Sequence, residues 1–146
     1  MAPTGAVRSL TTATGYGAPL DPHTEVDLLA GVGIVGDRHA GNRRQVTIVC
    51  TGELAEAARR LGVAHIDGAS TRRNIVVDTA TLPRAHGTPF RIGAVEFEVW
   101  RDCAPCELMD EIFGSGAKDA LRDRCGISAT VIKGGTIRLD DRLVLA

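Results

Sequence analysis

Hydrophobic and polar positions alternate over residues 95–100: Val95, Phe97 and Val99 share one face, Glu96, Glu98 and Trp100 the other. A period of two with one wet face predicts a β-strand. Residues 45–50 carry the β-branched run Val46, Thr47, Ile48, Val49, which predicts a buried strand. The period then changes. Leu54, Ala57, Ala58 and Leu61 fall on one helical face, with Thr51 as a suitable N-cap and Gly62 as the C-terminal cap. Further strands are expected at 7–10, 25–29, 73–77, 128–132, 136–139 and 142–145, with Gly134-Gly135 and Asp140-Asp141 as the turns between the last three.

Polar, Gly-rich and Pro-rich stretches separate these runs. Residues 15–23, 31–44, 67–72 and 79–89 read as loops. Pro105 suits the first turn of a helix running through Glu107, Leu108 and Met109 toward Phe113, and residues 117–124 a second, ended by Gly126. The expected fold class is mainly β with minor helices, in a single domain over 1–146. Alternating βαβ units are missing, and no helix follows the glycines of 31–36, so a dinucleotide-binding sheet is excluded.

Composition adds limits. The 146 residues fit one domain, and the 17 glycines agree with many turns. A net charge of −1 argues against nucleic acid or an anionic membrane as partner. No stretch approaches the apolar length of a membrane span, and residues 1–19 lack the pattern of a secretory signal. A cytoplasmic protein with reduced thiols is expected. All basic residues except Lys118 and Lys133 are arginines. This reads either as codon bias or as planar forks gripping phosphates and carboxylates.

Three segments can carry chemistry. Cys103-Ala-Pro-Cys106 lies just beyond the 95–100 strand, and a helix start after Pro105 would favour a thiolate at Cys106. The pair reads as a dithiol, as half a zinc site, as a soft metal ligand or sulfur carrier, or as two ordinary thiols at a turn. The redox reading lacks its usual βαβ context. The zinc reading lacks a second pair; Cys125, Cys50 and His39 have no spacing that recommends them. Asp37-Arg38-His39 with Arg43 and Arg44 reads as a site loop or a solvated loop. Arg72-Arg73-Asn74 reads as an anion grip or a charge-protected edge strand.

The order of motifs goes further than any one of them. G-x-x-G-D-R-H at 33–39, Q-V-T-I at 45–48, R-x-N-I at 72–75, Ile92-Gly93, C-x-P-C at 103–106 and the run from Gly126 to Ile137 together resemble the MOSC family, named for the C-terminal domain of molybdenum cofactor sulfurase. The resemblance spans about residues 5–146. It implies a MOSC-type β-barrel and a pyranopterin molybdenum cofactor in a basic cleft. Cys106 takes the place of the signature cysteine, as metal ligand and catalytic residue; Cys103 matches an additional cysteine of a subset. Arg72 and Asn74 match an Arg-x-Asn that contacts the cofactor in relatives such as the mitochondrial amidoxime-reducing component, and Arg38, His39 and Arg44 fall on the basic loop at the same cleft. The family's final Gly-Asp turn is Asp140-Asp141 here, which leaves an aspartate in the left-handed position.

Two functions follow from the resemblance: reduction of N-hydroxylated substrates with electrons from a partner protein, or a non-catalytic carrier of cofactor or of persulfide sulfur on Cys106. A cofactor-biosynthesis protein is the alternative partner. A plain interaction domain without ligand is a third reading. The extra domains of the amidoxime-reducing enzymes have no counterpart in these residues. The family also brings pyridoxal phosphate binding, with no residue of this chain assigned to it.

Overall fold

The computed structural model describes residues 2–145. Its elements, in chain order, are β1 (Val7–Thr12), β2 (Asp21–His23), β3 (Glu25–Leu29), β4 (Gly33–Ile34), β5 (Val46–Cys50), α1 (Thr51–Leu61), a 3-10 turn (Ala69–Thr71), β6 (Ile75–Val77), β7 (Pro89–Ile92), β8 (Val95–Asp102), α2 (Leu108–Phe113), α3 (Ala117–Ala120), β9 (Ile127–Lys133), β10 (Gly135–Arg138) and β11 (Leu143–Leu145). The fold is mainly β with few helices, as the pattern predicts.

Eight strands form one mixed sheet in the order β11-β7-β8-β9-β5-β6-β1-β2, and β10-β3-β4 form a second. β5 and β6 run parallel. Their crossover contains α1, as a parallel pair requires. The large ladder stops at β11 and β2. One bridge, Ala6 to Arg142, ties the start of β1 back to β11, supported by hydrogen bonds from Leu143 N–H to Gly5 and from Val7 N–H to Asp141. A continuous closed ladder is not found among the described residues.

β5 explains its own sequence. Every residue is buried. Val46, Ile48 and Cys50 join the larger core with Ile75, Phe97 and Ile127, while Val49 joins a second core with Leu54, Ala57, Met109 and Leu121. A strand covered on both faces needs apolar residues at successive positions. Each large side chain buried this way contributes roughly 1.5–3 kcal/mol. Phe90 and Phe97 stack in the larger core with centroids 5.1 Å apart. Gly126 lets the chain before β9 pass close to β5: with φ at +90°, a Cβ there would lie 2.1 Å from the Ile48 carbonyl oxygen.

Several boundaries differ from expectation. Cys50, with an extended backbone, is the N-cap of α1, because the Thr51 hydroxyl donates to Asp78 at 2.9 Å. Gly62 caps the other end at φ +80°, as expected. β2, β4 and β7 lie in or at the end of expected loops. β2 holds Pro22, which an edge strand tolerates, and β7 opens on Pro89. β6 begins at Ile75, after Arg73 and Asn74. α2 begins at Leu108, not at Pro105, so Cys106 lies before the helix rather than in its first turn. Residues 103–106 stay non-helical, with Cys103 N–H donating to the Gly126 carbonyl at 2.9 Å. α3 ends at Ala120, and Asp123 adopts φ +62° shortly after. Asp140 takes φ +72°, the left-handed position expected of that turn.

Candidate cofactor-binding site

Four loops converge on one cavity of about 340 Å³. The 37–44 loop contributes Arg38, His39, Asn42 and Arg44. Asp37 shapes it: the buried carboxylate accepts from Ala13 N–H at 3.1 Å and from His39 N–H at 3.0 Å. Arg38 N–H donates to the Ala13 carbonyl at 2.9 Å, which fastens the loop to the end of β1.

The segment between the 3-10 turn and β6 contributes Arg72 and Arg73. Arg72 sits in the left-handed region at φ +66°. This turn breaks strand alternation, so the neighbouring arginines both reach the cavity. Arg72 Nη2 donates to the Ala18 carbonyl at 2.6 Å, whereas its buried Nε has no hydrogen-bond partner. Arg73 is itself buried. Its Nε donates to the Cys125 carbonyl at 2.8 Å, and Nη2 reaches the Ala104 carbonyl at 3.1 Å and the Cys125 sulfur at 3.2 Å.

The 103–106 segment contributes Ala104 and the half-buried Cys106, whose carbonyl accepts from Met109 N–H at the start of α2. Arg84 supports this region from behind, pairing with Glu53 of α1 and with Asp102 at the end of β8. The loop between β1 and β2 contributes Tyr16, whose hydroxyl donates to Cys106 Sγ at 3.8 Å. This bond raises the phenol pKa.

The electrostatics are those of a cation cluster. Burial lowers the Arg38 pKa, and Arg72 beside it adds to the effect. His39 is pushed down to about 4, by burial first and then by Arg38, with Arg44 and Arg73 adding to it. A net charge of −1 for the chain thus coexists with concentrated positive charge at one mouth. Burial raises the thiol pKa of Cys103 and Cys125, and that of Cys50 to about 11. Buried thiols of this kind are unreactive.

Of the residues singled out by sequence, the cavity brings together Arg38, His39, Arg44, Arg72 and Cys106. Asn74 and Cys103 do not line it. The Asn74 carboxamide accepts from both the Thr47 amide and hydroxyl and donates to the Thr11 carbonyl at 3.1 Å, cross-linking β1, β5 and β6. Cys103 is fully buried. Tyr16 and Asn42 carried no sequence signal for this site, and Arg73 was visible only as the middle of Arg72-Arg73-Asn74. None of the cavity-lining residues is a lysine, the residue pyridoxal phosphate needs for its Schiff base.

Among the described residues no three His, Cys, Asp or Glu side chains are grouped to hold a metal. A metal at Cys106 would therefore take its other donors from a ligand. The larger cavity, about 570 Å³ between α1 and residues 63–69, holds none of the predicted residues.

The family model described as the MOSC domain matches residues 35–144. The chain belongs to the MOSC domain family. This MOSC domain is similar in structure to the YuaD protein from Bacillus subtilis, with a TM-score of 0.80 and 20% identity, covering 94% of this chain and 93% of that one. It is also similar to YiiM from Escherichia coli (TM-score 0.67, 20% identity, 97% of this chain and 69% of that one). YiiM from Geobacillus stearothermophilus gives a TM-score of 0.71 at 13% identity, covering 97% and 73%. At such identities the likeness is one of fold. No curated protein matches. No helix of this MOSC domain, among the described residues, is long and apolar enough to cross a membrane.

Proposed function

We propose that this MOSC domain holds a pyranopterin molybdenum cofactor in the arginine-lined cavity, with Cys106 as the thiolate ligand of the metal. The observation that carries the reading is the buried, unpartnered Nε of Arg72 in a cavity that also holds Cys106, Arg38, Arg44 and Arg73. A buried N–H without an acceptor costs roughly 1–3 kcal/mol, and an oxyanion would satisfy it. The donor set fits the group: guanidinium forks suit phosphate, and a soft thiolate suits the metal.

Arg72, Arg38 and Arg44 hold the anionic and pterin portions. Arg73 fixes the 103–106 segment from beneath, and Asn74 holds the strands that present Arg72. His39 stays neutral beside the arginines and offers a hydrogen bond without adding charge. The bound cofactor supplies two-electron redox chemistry at the metal. Its substrates would be N-hydroxylated compounds, with electrons from an external protein. In the barrel reading of this fold, the Ala6–Arg142 bridge would join β11 to the start of β1 and leave β2 outside the ring.

The test is metal and pterin analysis of protein purified from a host that makes the cofactor. Near-stoichiometric molybdenum with pterin is expected. Zinc, or sulfane sulfur on Cys106 without metal, overturns the proposal in favour of a metal clip or a sulfur carrier.

A further inference from the structure

We infer that Tyr16 is a positioning residue of this site: its hydroxyl holds the Cys106 sulfur at the cavity mouth, and Arg72 holds the loop that carries Tyr16. The inference rests on the reading of Cys106 as the centre of the site, and it concerns how that sulfur is presented.

Tyr16 is 75% exposed, so packing does not account for its place. It is the one tyrosine of the chain, and no phenylalanine or tryptophan lines the cavity. Its loop is built for adjustment. Gly15 and Gly17 face open space, Gly17 at φ +73°, and a turn closes from Ala18 N–H to the Gly15 carbonyl. Among the described residues, two hydrogen bonds tie residues 15–19 to the rest of the protein. One runs from Arg72 Nη2 to the Ala18 carbonyl; the other runs from the Tyr16 hydroxyl to Cys106 Sγ. Both end in the cavity. Arg72 thus spends one donor of its fork on the loop and leaves Nε free on the same edge. The phenol donates to the sulfur and restrains it at the cavity mouth. Removing either bond loosens the restraint on the Cys106 sulfur, while the backbone of the segment stays held by Met109 N–H and Arg73.

The test reads the full-length, cofactor-free protein by alkylation with iodoacetamide at about pH 9.5, where thiols are mostly thiolate and phenols still protonated, followed by peptide mass mapping. Cys50, Cys103 and Cys125 are fully buried, so one alkylated cysteine per chain reports Cys106 and shows that the fold is kept. Tyr16→Phe keeps the ring and should raise the alkylation rate about fivefold, the loss of one hydrogen bond. Arg72→Lys keeps the charge but loses the fork, and should give a similar rise. The double variant should not exceed the larger single one, because both act through the same loop. A Tyr16→Phe rate below the parent's or within about twofold of it, or full additivity in the double variant, overturns the inference. Tyr16→Leu is the second variant and should react faster than Tyr16→Phe. None of these readouts needs molybdenum, so a failure here is distinct from a failure to find the cofactor.

Discussion

Arg73 and Cys125 meet twice: Nε donates to the Cys125 carbonyl at 2.8 Å, and Nη2 lies 3.2 Å from its sulfur. With the Ala104 carbonyl on the same Nη2, this buried guanidinium joins the chain before β9 to the segment carrying Cys106. Arg73→Met fills similar space but abandons two carbonyls. It should cost about 3 kcal/mol in urea unfolding. A loss below about 1 kcal/mol would show that the bonds do not hold the two segments together.

Asn74 makes the same kind of statement for the strands. Its carboxamide is spent on Thr47 and Thr11. Asn74→Ala should therefore lower stability by about 2 kcal/mol, while molybdenum per folded molecule stays within about twofold of the parent. Complete loss of molybdenum from a folded Asn74→Ala protein would mean that the side chain turns to the cofactor.

His39 predicts a pH dependence. Its folded pKa of about 4 lies below the ordinary value of 6.5. Between these values the unfolded chain binds a proton that the folded protein does not, so stability rises with pH across that window. The contribution is complete above pH 6.5 and is lost as pH falls toward 4. Cofactor-free protein should show a His39 ring resonance titrating near 4, and His39→Gln should flatten the stability profile over the window. An oxyanion such as sulfate in the cavity should raise the His39 pKa by offsetting the arginines. A titration at the ordinary histidine pH would contradict the placement of His39 among them.

Cys106 and Cys103 should separate cleanly. Cys106 lines the cavity, whereas Cys103 is fully buried and its thiol pKa is raised. Cys106→Ser should lose bound molybdenum; Cys103→Ser should keep most of it, and both should give the circular dichroism of the parent. Equal loss from the two variants would point to a two-thiolate site.

The amino-acid sequence by itself determined the elements whose causes are local. The alternation of residues 95–100, the unbroken apolar run of β5, the apolar face of α1 and Gly62 at its end each encode a period or a backbone angle within a few residues. Motif order grouped Arg38, His39, Arg44, Arg72 and Cys106, which share one cavity, but it also grouped Asn74 and Cys103, which do not line it. Short strands were harder. β2 and β7 include prolines and gain their pairing from β1 and β8, so their own residues carry little signal. The start of α2 shifted past Cys106 because residues 103–106 are held by Gly126 and Arg73 rather than by helical bonds.

Only the tertiary structure decided which side chains face the cavity. The left-handed backbone at Arg72 turns Arg73 to the site and leaves Asn74 to cross-link the sheet. No pattern of alternation predicts that, since a single φ of the opposite sign resets the faces of the residues that follow. Tyr16 meets a sulfur 90 positions away, and Arg73 meets Cys125 across 52. Such pairs arise when loops from β1, β5, β6 and β8 are packed against one end of the sheet. Local propensity does not set that distance; burial of the shared core does.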